Sequence, residues 1–501
     1  MHLELDGKGP LHAQLTRALK AAMLNGRLAQ GSRLPATRAL ARELELSRNT
    51  VLAAYEQLHA EGYLHGRVGS GSYVATTLPA ARPGPPAAEK LGPQSEFSRR
   101  GRRYHDHGNM PGRRIDGARY LFQYGVPFVN PALTSAWARE LAHAAAYTSP
   151  AYPMAQGLPA LREAVCDYLA RRRGVTVPPD NVLIVAGTQQ ALALTARVVL
   201  DPGNLALLEE PHYFAMREQL QVHGAQVQAT PVDRHGLQVA RLPRTAPRLV
   251  CVTPSHQFPT GAVMSLERRL ELIDYAHRHQ AWIFEDDYDG EFRYDVQPLS
   301  ALRALDQHER VIYVGTFSKA MFPSLRLGYL VMPSGLREDY ITAKWQDDFG
   351  TSAVEQAAMA RFMAGGGFER HLRRTWKMLK QRREVLMQGL RRCAGDRIEV
   401  ADSRAGMHLV VWLRDCSQQD CDALIARAQQ LGLGLYSIAP FYLGVPDRVG
   451  LLFGYCGLSV TEIEEALVLF ERCLDEVLPL RHGAAASPAE RSRVNAPPRP
   501  Q

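Results

Sequence analysis

Six short apolar runs alternate with helical segments between residues 182 and 332, and this alternation strongly constrains the fold. The runs cover residues 182–185, 205–208, 249–252, 282–284, 311–314 and 327–332. Strands that alternate with helices are typical of an α/β domain, a mainly parallel sheet with helices on both faces. Because one core rarely exceeds about 250 to 300 residues, a chain of 501 residues should contain further domains.

The composition predicts a soluble protein of the cytoplasm. Hydrophobic residues make up 46% of the chain and charged residues 22%, and no apolar run approaches the roughly 20 residues that cross a bilayer. The first residues lack the basic and apolar segments of a secretory signal. The seven cysteines include no Cys-x-x-Cys pair, so we expect reduced thiols and no metal site.

Positive charge is concentrated at the start of the chain. Residues 1–75 carry +3 and residues 76–113 carry +4 of a total formal charge of +8. Such an asymmetry suits a nucleic-acid-binding head, because Lys and Arg release counterions from phosphates. A solvated basic surface explains the same charge, so the charge alone leaves both readings open.

Three amphipathic segments near the N-terminus predict a helix-turn-helix. A first apolar stripe covers residues 11–23, a second short helix follows Pro35, and a third helix begins at Ser47, whose hydroxyl can cap it. Only two residues separate the last two helices, so these must pack at a steep angle. The N-terminal end of the third helix would meet base edges. Its polar residues are Ser47, Arg48, Asn49 and Thr50.

A glycine-rich hairpin follows these helices. The apolar pairs at residues 63–64 and 73–74 flank glycines that let backbone approach a groove closely. The strings LPATR at 34–38, SRNTV at 47–51, EGYL at 61–64 and GSGSYV at 69–74 resemble the GntR type of winged helix. The resemblance implies contacts with double-stranded operator DNA from Arg38, Ser47, Arg48, Asn49, Thr50 and the wing-tip Gly69. A winged helix used only for protein contacts is the alternative.

Two segments lack the apolar content of a core. Residues 78–113 are rich in Pro, Gly, Ala and Arg, and we expect an extended basic linker there. The tail, residues 481–501, has the same composition and is expected to be disordered. We therefore predict a DNA-binding domain at 1–77, the linker at 78–113 and a large domain at 114–480.

Polar groups follow three of the apolar runs and predict a cofactor site. Thr188 opens a helix whose free N–H groups can hold an anion. Asp286 lies at a strand end, where a carboxylate can keep a heteroaromatic nitrogen protonated. Lys319 follows another strand and can form an imine with an aldehyde, while Arg326 can bind a phosphate. Together these groups indicate a site for pyridoxal 5'-phosphate.

The chain from about residue 122 to residue 473 resembles fold-type I aminotransferases. The strings TPSHQFPTG at 253–261, EDDYDGEFRY at 285–294 and VIYVGTFSK at 311–319 carry this resemblance. Joined to the GntR-like head, they resemble the MocR family of regulators. The resemblance implies a smaller C-terminal α+β subdomain, a homodimer, and a head that packs on the partner subunit's body.

The same resemblance implies a role for each residue of the site. Lys319 would form the imine, Asp286 would pair with the pyridine nitrogen, and Tyr288 would approach the ring hydroxyl. Tyr213 would stack on the ring, and Tyr152 would reach the partner subunit's phosphate. The residues that would hold the phosphate are Thr188, Gln189, Thr316, Ser318 and Arg326. Capping or packing explains Thr188, Ser318 and Tyr152 equally well.

Two departures from the catalytic pattern bear on function. Phe258 precedes Pro-Thr-Gly where aminotransferases commonly place Asn, and the strand at 449–455 lacks the Arg that often binds a substrate carboxylate. We therefore favour a transcriptional regulator that senses pyridoxal phosphate, an amine or an amino acid. An active aminotransferase with an accessory DNA-binding head is the alternative hypothesis.

Overall fold

The computed structural model describes residues 3–67, 70–77, 94–104, 115–128, 131–294, 299–401 and 403–479. These residues belong to two compact units, Met1–Gln94 and Ser95–Gln501. Among the described residues, none of the helices combines the length and apolar character that a bilayer crossing requires.

The first unit is the predicted winged helix-turn-helix. Its elements are α1 (Leu11–Leu24), α2 (Thr37–Glu43), α3 (Arg48–Ala60), β1 (Leu64–Arg67) and β2 (Gly71–Val74). The two strands form an antiparallel hairpin. Apolar side chains from all three helices and both strands form the core, among them Leu15, Leu19, Leu40, Val51, Leu58, Leu64 and Val74. Between α2 and α3, Glu45 adopts a left-handed conformation with φ of 53°, which allows the tight turn.

The second unit begins with helix α4 (Glu96–Tyr104). This helix lies in the segment that we expected to be an extended linker, so the structure differs from that expectation. Tertiary contacts account for the difference, since the ring of Phe97 packs edge-on against His223 at 5.5 Å. Arg100 Nε donates to the Val222 carbonyl at 2.8 Å. Residues 78–93 and 105–113 of the expected linker, and the tail at 481–501, lie outside the described residues.

The strands of the second unit form three sheets. They are β3 (Tyr120–Leu121), β4 (Val182–Val185), β5 (Leu205–Glu210), β6 (Gln226–Asp233), β7 (Gly236–Leu237), β8 (Leu249–Val252), β9 (Trp282–Asp287), β10 (Val311–Thr316), β11 (Gly328–Val331), β12 (Ile398–Val400), β13 (His408–Leu413), β14 (Leu433–Gly434), β15 (Tyr436–Ser437) and β16 (Gly450–Gly454).

The largest sheet has eight strands in the order β4-β11-β10-β9-β8-β5-β6-β7. Strands β10, β9, β8, β5 and β6 are parallel neighbours, whereas β11 runs antiparallel to β10 and β4. Every residue of β4, β8, β10 and β11 is buried, as expected for strands covered on both faces. The predicted α/β fold class with a mainly parallel sheet is therefore confirmed.

Helices cover this sheet and connect its strands. They are α5 (Pro131–Tyr147), α6 (Pro159–Arg173), α7 (Thr188–Val199), α8 (Phe214–Val222), α9 (Leu266–Arg278), α10 (Leu302–Leu305), α11 (Phe317–Ala320), α12 (Arg337–Asp348), α13 (Ala353–Ala364), α14 (Gly367–Ala394), α15 (Gln418–Gln430) and α16 (Val460–Val477). The helix α14 leads into the expected α+β subdomain, whose antiparallel sheet has the order β12-β13-β16-β15.

The register of the large sheet determines where the polar groups gather. Val314 of β10 pairs with Asp286 of β9, and Gly328 of β11 pairs with both Thr316 and Val185. The carboxyl ends of β4 and β10 therefore flank the start of β11. Because parallel strands end at the same edge, side chains that follow β4, β9 and β10 are brought together there.

Candidate functional sites

A pocket lies at this edge of the sheet and brings nine of the predicted cofactor residues together. These are Thr188, Gln189, Tyr213, Asp286, Tyr288, Thr316, Ser318, Lys319 and Arg326. The sequence did not single out the other residues that line it, apart from Phe258. They are Tyr124, Gly125, Thr253, Phe258, Met407 and His408. The pocket has the components of a site for a phosphate-bearing aldehyde.

Lys319 lies in α11, directly after the central strand β10. Its Nζ donates a hydrogen bond to the carbonyl of Gly125. Burial lowers the pKa of Lys319, and the charge of Arg326 lowers it further, while Asp289 and Asp286 oppose this change. A lowered pKa increases the fraction of neutral amine, which is the nucleophilic form.

Asp286 faces the pocket from β9 and is only 5% exposed. Its Oδ1 has no hydrogen-bond partner among the described residues. Burial raises the pKa of Asp286 to about 8, with further increases from the charges of Asp287 and Asp289. A buried carboxyl without a partner costs free energy, and a cationic ring nitrogen at this position would remove that cost.

The neighbouring carboxylate, Asp287, is engaged by other groups through its Oδ2. Its Oδ2 lies 2.5 Å from Arg173 Nε and accepts a hydrogen bond of 2.5 Å from Tyr313 Oη. Arg173 itself is 2% exposed and also donates to Ser255 Oγ at 2.7 Å. This ion pair fixes the end of β9, which positions Asp286.

An anion cradle lies on the other side of the pocket. Gly187 caps α7 with φ of 84°, and a Cβ at this position would stand 3.1 Å from Arg326 Nη2. Arg326 Nη2 donates to the Ala186 carbonyl at 2.8 Å. Ser318 Oγ is buried and has no hydrogen-bond partner in the described part of the chain. A helix N-terminus, a guanidinium and an unpartnered hydroxyl together fit a phosphate.

Two tyrosines contribute to the pocket wall. Tyr213 caps α8, and burial raises its pKa to about 12. Tyr288 Oη lies 2.9 Å from His256 Nδ1, and the same nitrogen lies 2.9 Å from Asp289 Oδ2. Phe258 packs edge-on against both tyrosines, with ring centroids at 5.7 and 5.8 Å. Where aminotransferases commonly place an Asn amide, this pocket is therefore lined by the aromatic ring of Phe258.

The structure does not bring Tyr152 into the pocket. Its side chain is 90% exposed, and its ring lies 6.2 Å from that of Phe349. Sequence reasoning did not single out His256, Asp289, Tyr124 or His408. His256 lies within the string at 253–261 and Asp289 within the string at 285–294. Tyr124 and His408 come from segments that carry no recognised motif.

In the first unit, the predicted DNA-contacting residues cluster at the N-terminus of α3. Ser47 Oγ accepts a hydrogen bond from Thr50 N at 3.0 Å and lies 2.8 Å from Thr50 Oγ1. Both hydroxyls thus stabilise the helix start. Arg48, Asn49 and Arg38 are exposed, and neither arginine has an ion pair among the residues described. The predicted wing-tip residue Gly69 lies outside the described residues.

Comparisons with known protein families match both units. Residues 126–467 match the model described as aminotransferase class I and II. Residues 11–74 match the model described as bacterial regulatory proteins, gntR family. The two matches fall in separate units of the chain, so a DNA-binding module and an aminotransferase-like module are combined.

Similar curated proteins share this combination over most of their length. The chain is 37% identical to the probable rhizopine catabolism regulatory protein MocR of Rhizobium meliloti, over 93% of this chain and 94% of that protein. It is 31% identical to the HTH-type pyridoxine biosynthesis transcriptional regulator PdxR of Corynebacterium glutamicum, with 88% and 91% covered.

Among solved structures, aminotransferases resemble the body of the chain. Kynurenine aminotransferase of Pyrococcus horikoshii has a TM-score of 0.65 and 27% identity, and the match covers 71% of this chain and 90% of that one. The α-aminoadipate aminotransferase LysN of Thermus thermophilus, complexed with N-(5'-phosphopyridoxyl)-L-leucine, has a TM-score of 0.66 and 26% identity, with 73% and 94% covered.

Proposed function

The chain belongs to the MocR type of GntR transcriptional regulators, and we propose that it binds pyridoxal 5'-phosphate through Lys319 and thereby controls its affinity for operator DNA. The observation that supports this proposal is the pair of unpartnered buried atoms, Asp286 Oδ1 and Ser318 Oγ. They lie in one pocket with Lys319 and Arg326. Such a regulator would act in the cytoplasm, where it meets both DNA and free cofactor.

The pocket residues divide between the parts of the cofactor. When bound, the cofactor supplies an aldehyde that reacts reversibly with primary amines. Lys319 presents an amine whose pKa is lowered by burial, and Asp286 would hold a proton on the ring nitrogen. Tyr213 packs against the ring face, while Tyr288, oriented by His256, donates toward the ring oxygen. The phosphate is held by Thr188, Gln189, Thr316, Ser318 and Arg326.

The rest of the pocket wall favours one class of effector. Lys319 and Arg326 are the only Lys or Arg among the described lining residues, and both are assigned to the cofactor. Burial lowers the pKa of His408 to about 4, with a further decrease from His256, so His408 is neutral at pH 7. Tyr124 and Phe258 add aromatic surface. We infer that a primary amine without a carboxylate fits better than an amino acid.

Two further arginines, Arg217 in α8 and Arg448 just before β16, do not change this inference. Arg448 pairs with Glu399 at 2.7 Å and lies over the Trp412 ring. Arg217 donates to the Tyr442 carbonyl at 3.4 Å. Neither lines the pocket. Matched titrations with 2-phenylethylamine and phenylalanine test the inference, because equal absorbance changes from both compounds would remove its basis.

We also propose that the regulator acts as a homodimer. Tyr152, Trp345 and Phe349 are exposed, and the Phe349 ring lies 6.2 Å from Tyr152 and 4.9 Å from Trp345. Tyr147 and Met154, close to Tyr152 in the sequence, are also exposed. An apolar patch of this kind is typical of a protein interface. A dimer would bury the patch, bring Tyr152 to the partner's pocket and present two heads to paired half-sites. Substituting Trp345→Glu should lower the mass measured by sedimentation.

An active aminotransferase is the second candidate function. The presence of Lys319, Asp286 and Tyr288 in one pocket favours it. Phe258 replaces the amide that commonly contacts the ring oxygen, which favours a sensor. Sustained multiple-turnover transamination with a 2-oxo acid would support the enzyme, whereas a half-reaction that stops after one equivalent would support the sensor.

Absorbance titration of the full-length protein with pyridoxal phosphate tests cofactor binding. The wild type should develop a visible band that borohydride reduction attaches covalently to Lys319. The variant Lys319→Ala should lack this band, and the exposed control Lys8→Ala should retain it. A wild-type band in Lys319→Ala would remove the basis of the proposal.

A further inference from the structure

The long helix α14 carries an unusual concentration of positive charge. It contains nine Lys and Arg residues and two Glu. In its N-terminal half, Arg370, Arg373, Arg374 and Lys377 are exposed. None of the four forms an ion pair with another described residue. Unpaired cations in such number repel one another, so a surface of this kind favours an anionic partner.

Basic grooves lie on both sides of this half of the helix. One groove, between α5, α13 and α14, is lined by Arg139, Arg361, Arg370 and Arg374. Its carboxylate, Glu140, is paired with Arg361 at 3.1 Å. The other groove is lined by Arg172, Arg173, Arg373, Lys377 and Lys380. The carboxyl group that lines this second groove, Glu291, accepts a hydrogen bond from Tyr168 Oη at 2.8 Å. Arg172 is paired with Glu369, and Arg173 with Asp287.

The dimensions of this surface suit an extended polyanion. Residues 370 to 380 span about 15 Å of helix at roughly 1.5 Å per residue. A DNA strand presents one phosphate for about every 3.4 Å of its axis, so several phosphates can face this surface. Arginine predominates, and its planar guanidinium binds phosphate in a bidentate manner. The Trp376 ring is already engaged, because it stacks with Tyr294 at 6.4 Å and Lys380 Nζ lies 5.2 Å from its centroid.

We propose that the N-terminal half of α14 is a second DNA-binding surface, which contacts backbone phosphates and reads no bases. The family's winged helix already brings DNA to this protein, so backbone phosphates are at high local concentration. The surface would add affinity for operator and non-operator DNA alike. It belongs to the aminotransferase-like unit, whereas α3, the reading helix, belongs to the first unit. It is also separate from the cofactor pocket.

The salt dependence of DNA binding by the full-length protein tests this proposal. We compare a triple variant, Arg370→Gln, Arg374→Gln and Lys377→Gln, with a control that loses the same charge at exposed ion pairs of the same unit. The control is Arg278→Gln, Arg427→Gln and Arg472→Gln. Thermal unfolding of both proteins verifies that they are folded.

The expected result is specific to the α14 variant. Each phosphate contact contributes about 0.9 to the slope of log affinity against log salt, so the slope should decrease by about 2 to 3. Affinity should fall by the same factor for operator and scrambled DNA, while the control keeps the wild-type slope. In an Arg48→Ala background, the remaining nonspecific binding should fall with the α14 substitutions.

Other outcomes would overturn the proposal. Equal slopes for the α14 variant and the control would show that only net charge matters. A loss confined to operator DNA would indicate base reading or an altered head. Pyrophosphate titration at constant ionic strength distinguishes a small phosphorylated ligand from DNA, because saturable binding lost in the variant, with an unchanged DNA slope, would assign the surface to that ligand. Cofactor binding enters none of these measurements.

Discussion

The cofactor pocket and the reading helix contrast in how they hold their polar groups. Asp286 is buried, and its Oδ1 has no partner among the described residues, so the cofactor-free protein carries a desolvation cost there. Arg48 is exposed at the start of α3, where water compensates its charge. The pocket therefore couples function to folding stability, whereas the helix can change its DNA contacts at little cost to the fold.

The largest expected effect on stability is seen when an arginine beside the pocket and an arginine of the reading helix are each replaced by alanine. Arg173→Ala should lower the free energy of unfolding by about 3 to 5 kcal/mol, because it leaves Asp287 buried without its cation. Arg48→Ala should change it by less than about 0.5 kcal/mol. Urea unfolding of the two variants measures both values. Similar losses in the two regions would break the comparison.

Asp286→Asn should separate stability from cofactor affinity. The folded-state pKa of Asp286 is raised from 3.8 to about 8, so between these values the folded state holds a proton that the unfolded state has lost. Stability of the cofactor-free protein should thus fall as pH rises from 4 to 8. Burial also raises the pKa values of Glu209, Glu285 and Glu291 to about 7, so the Asn variant should lose only the Asp286 share of this decrease. It should bind the cofactor roughly 10 to 100 times more weakly.

Thermal unfolding across this pH range, together with cofactor titration, measures the two effects. A gain of 1 kcal/mol at pH 8 would raise the Tm by roughly 2 to 4 °C. An unchanged pH profile in the cofactor-free Asn variant would contradict the account of a buried, uncompensated carboxyl. Asp274→Asn, on the exposed face of α9, is a matched control.

In the reading helix, Arg48→Ala should affect DNA recognition alone. If Arg48 contacts a base, the variant should lose about 1 to 3 kcal/mol of operator binding and relax sequence choice at one position. Competition between operator and single-base variants measures this selectivity. Equal weakening on all sequences would instead assign Arg48 to a phosphate.

The smallest effect is expected for Ser47→Ala. Because Ser47 Oγ accepts from Thr50 N, loss of this cap should cost about 1 kcal/mol of stability. Thermal unfolding detects this loss, and Ser47→Asp, which retains a capping acceptor, should restore most of it. A stability unchanged in Ser47→Ala would leave DNA contact as the main role of this hydroxyl.

Sequence patterns predicted those parts of the molecule that depend on local signals. The apolar runs at 182–185 and 249–252 coincide with β4 and β8, because strands buried on both faces are continuously apolar. The strand β6 was not predicted, since its polar and apolar residues alternate at a partly exposed position. The helix α4 was missed because contacts of Phe97 and Arg100 stabilise it, and these are tertiary.

The same distinction applies to the pocket. Motifs that follow β4, β9 and β10 identified nine lining residues, since these side chains are fixed by the strand ends. Tyr124 and His408 come from distant segments, and only the packed fold brings them to Phe258. Asp286 and Asp287 are adjacent in sequence, and their different roles depend on the buried Arg173, whose position the sequence does not reveal.

The central claim is that occupancy of the pocket at Lys319 controls operator binding. Fluorescence anisotropy with operator DNA, using cofactor-free and cofactor-saturated full-length protein, tests it directly. We predict a dissociation constant that changes at least severalfold with cofactor in the wild type and is unchanged in Lys319→Ala. Identical operator affinity of the wild type with and without cofactor, and with amines added, would contradict the account.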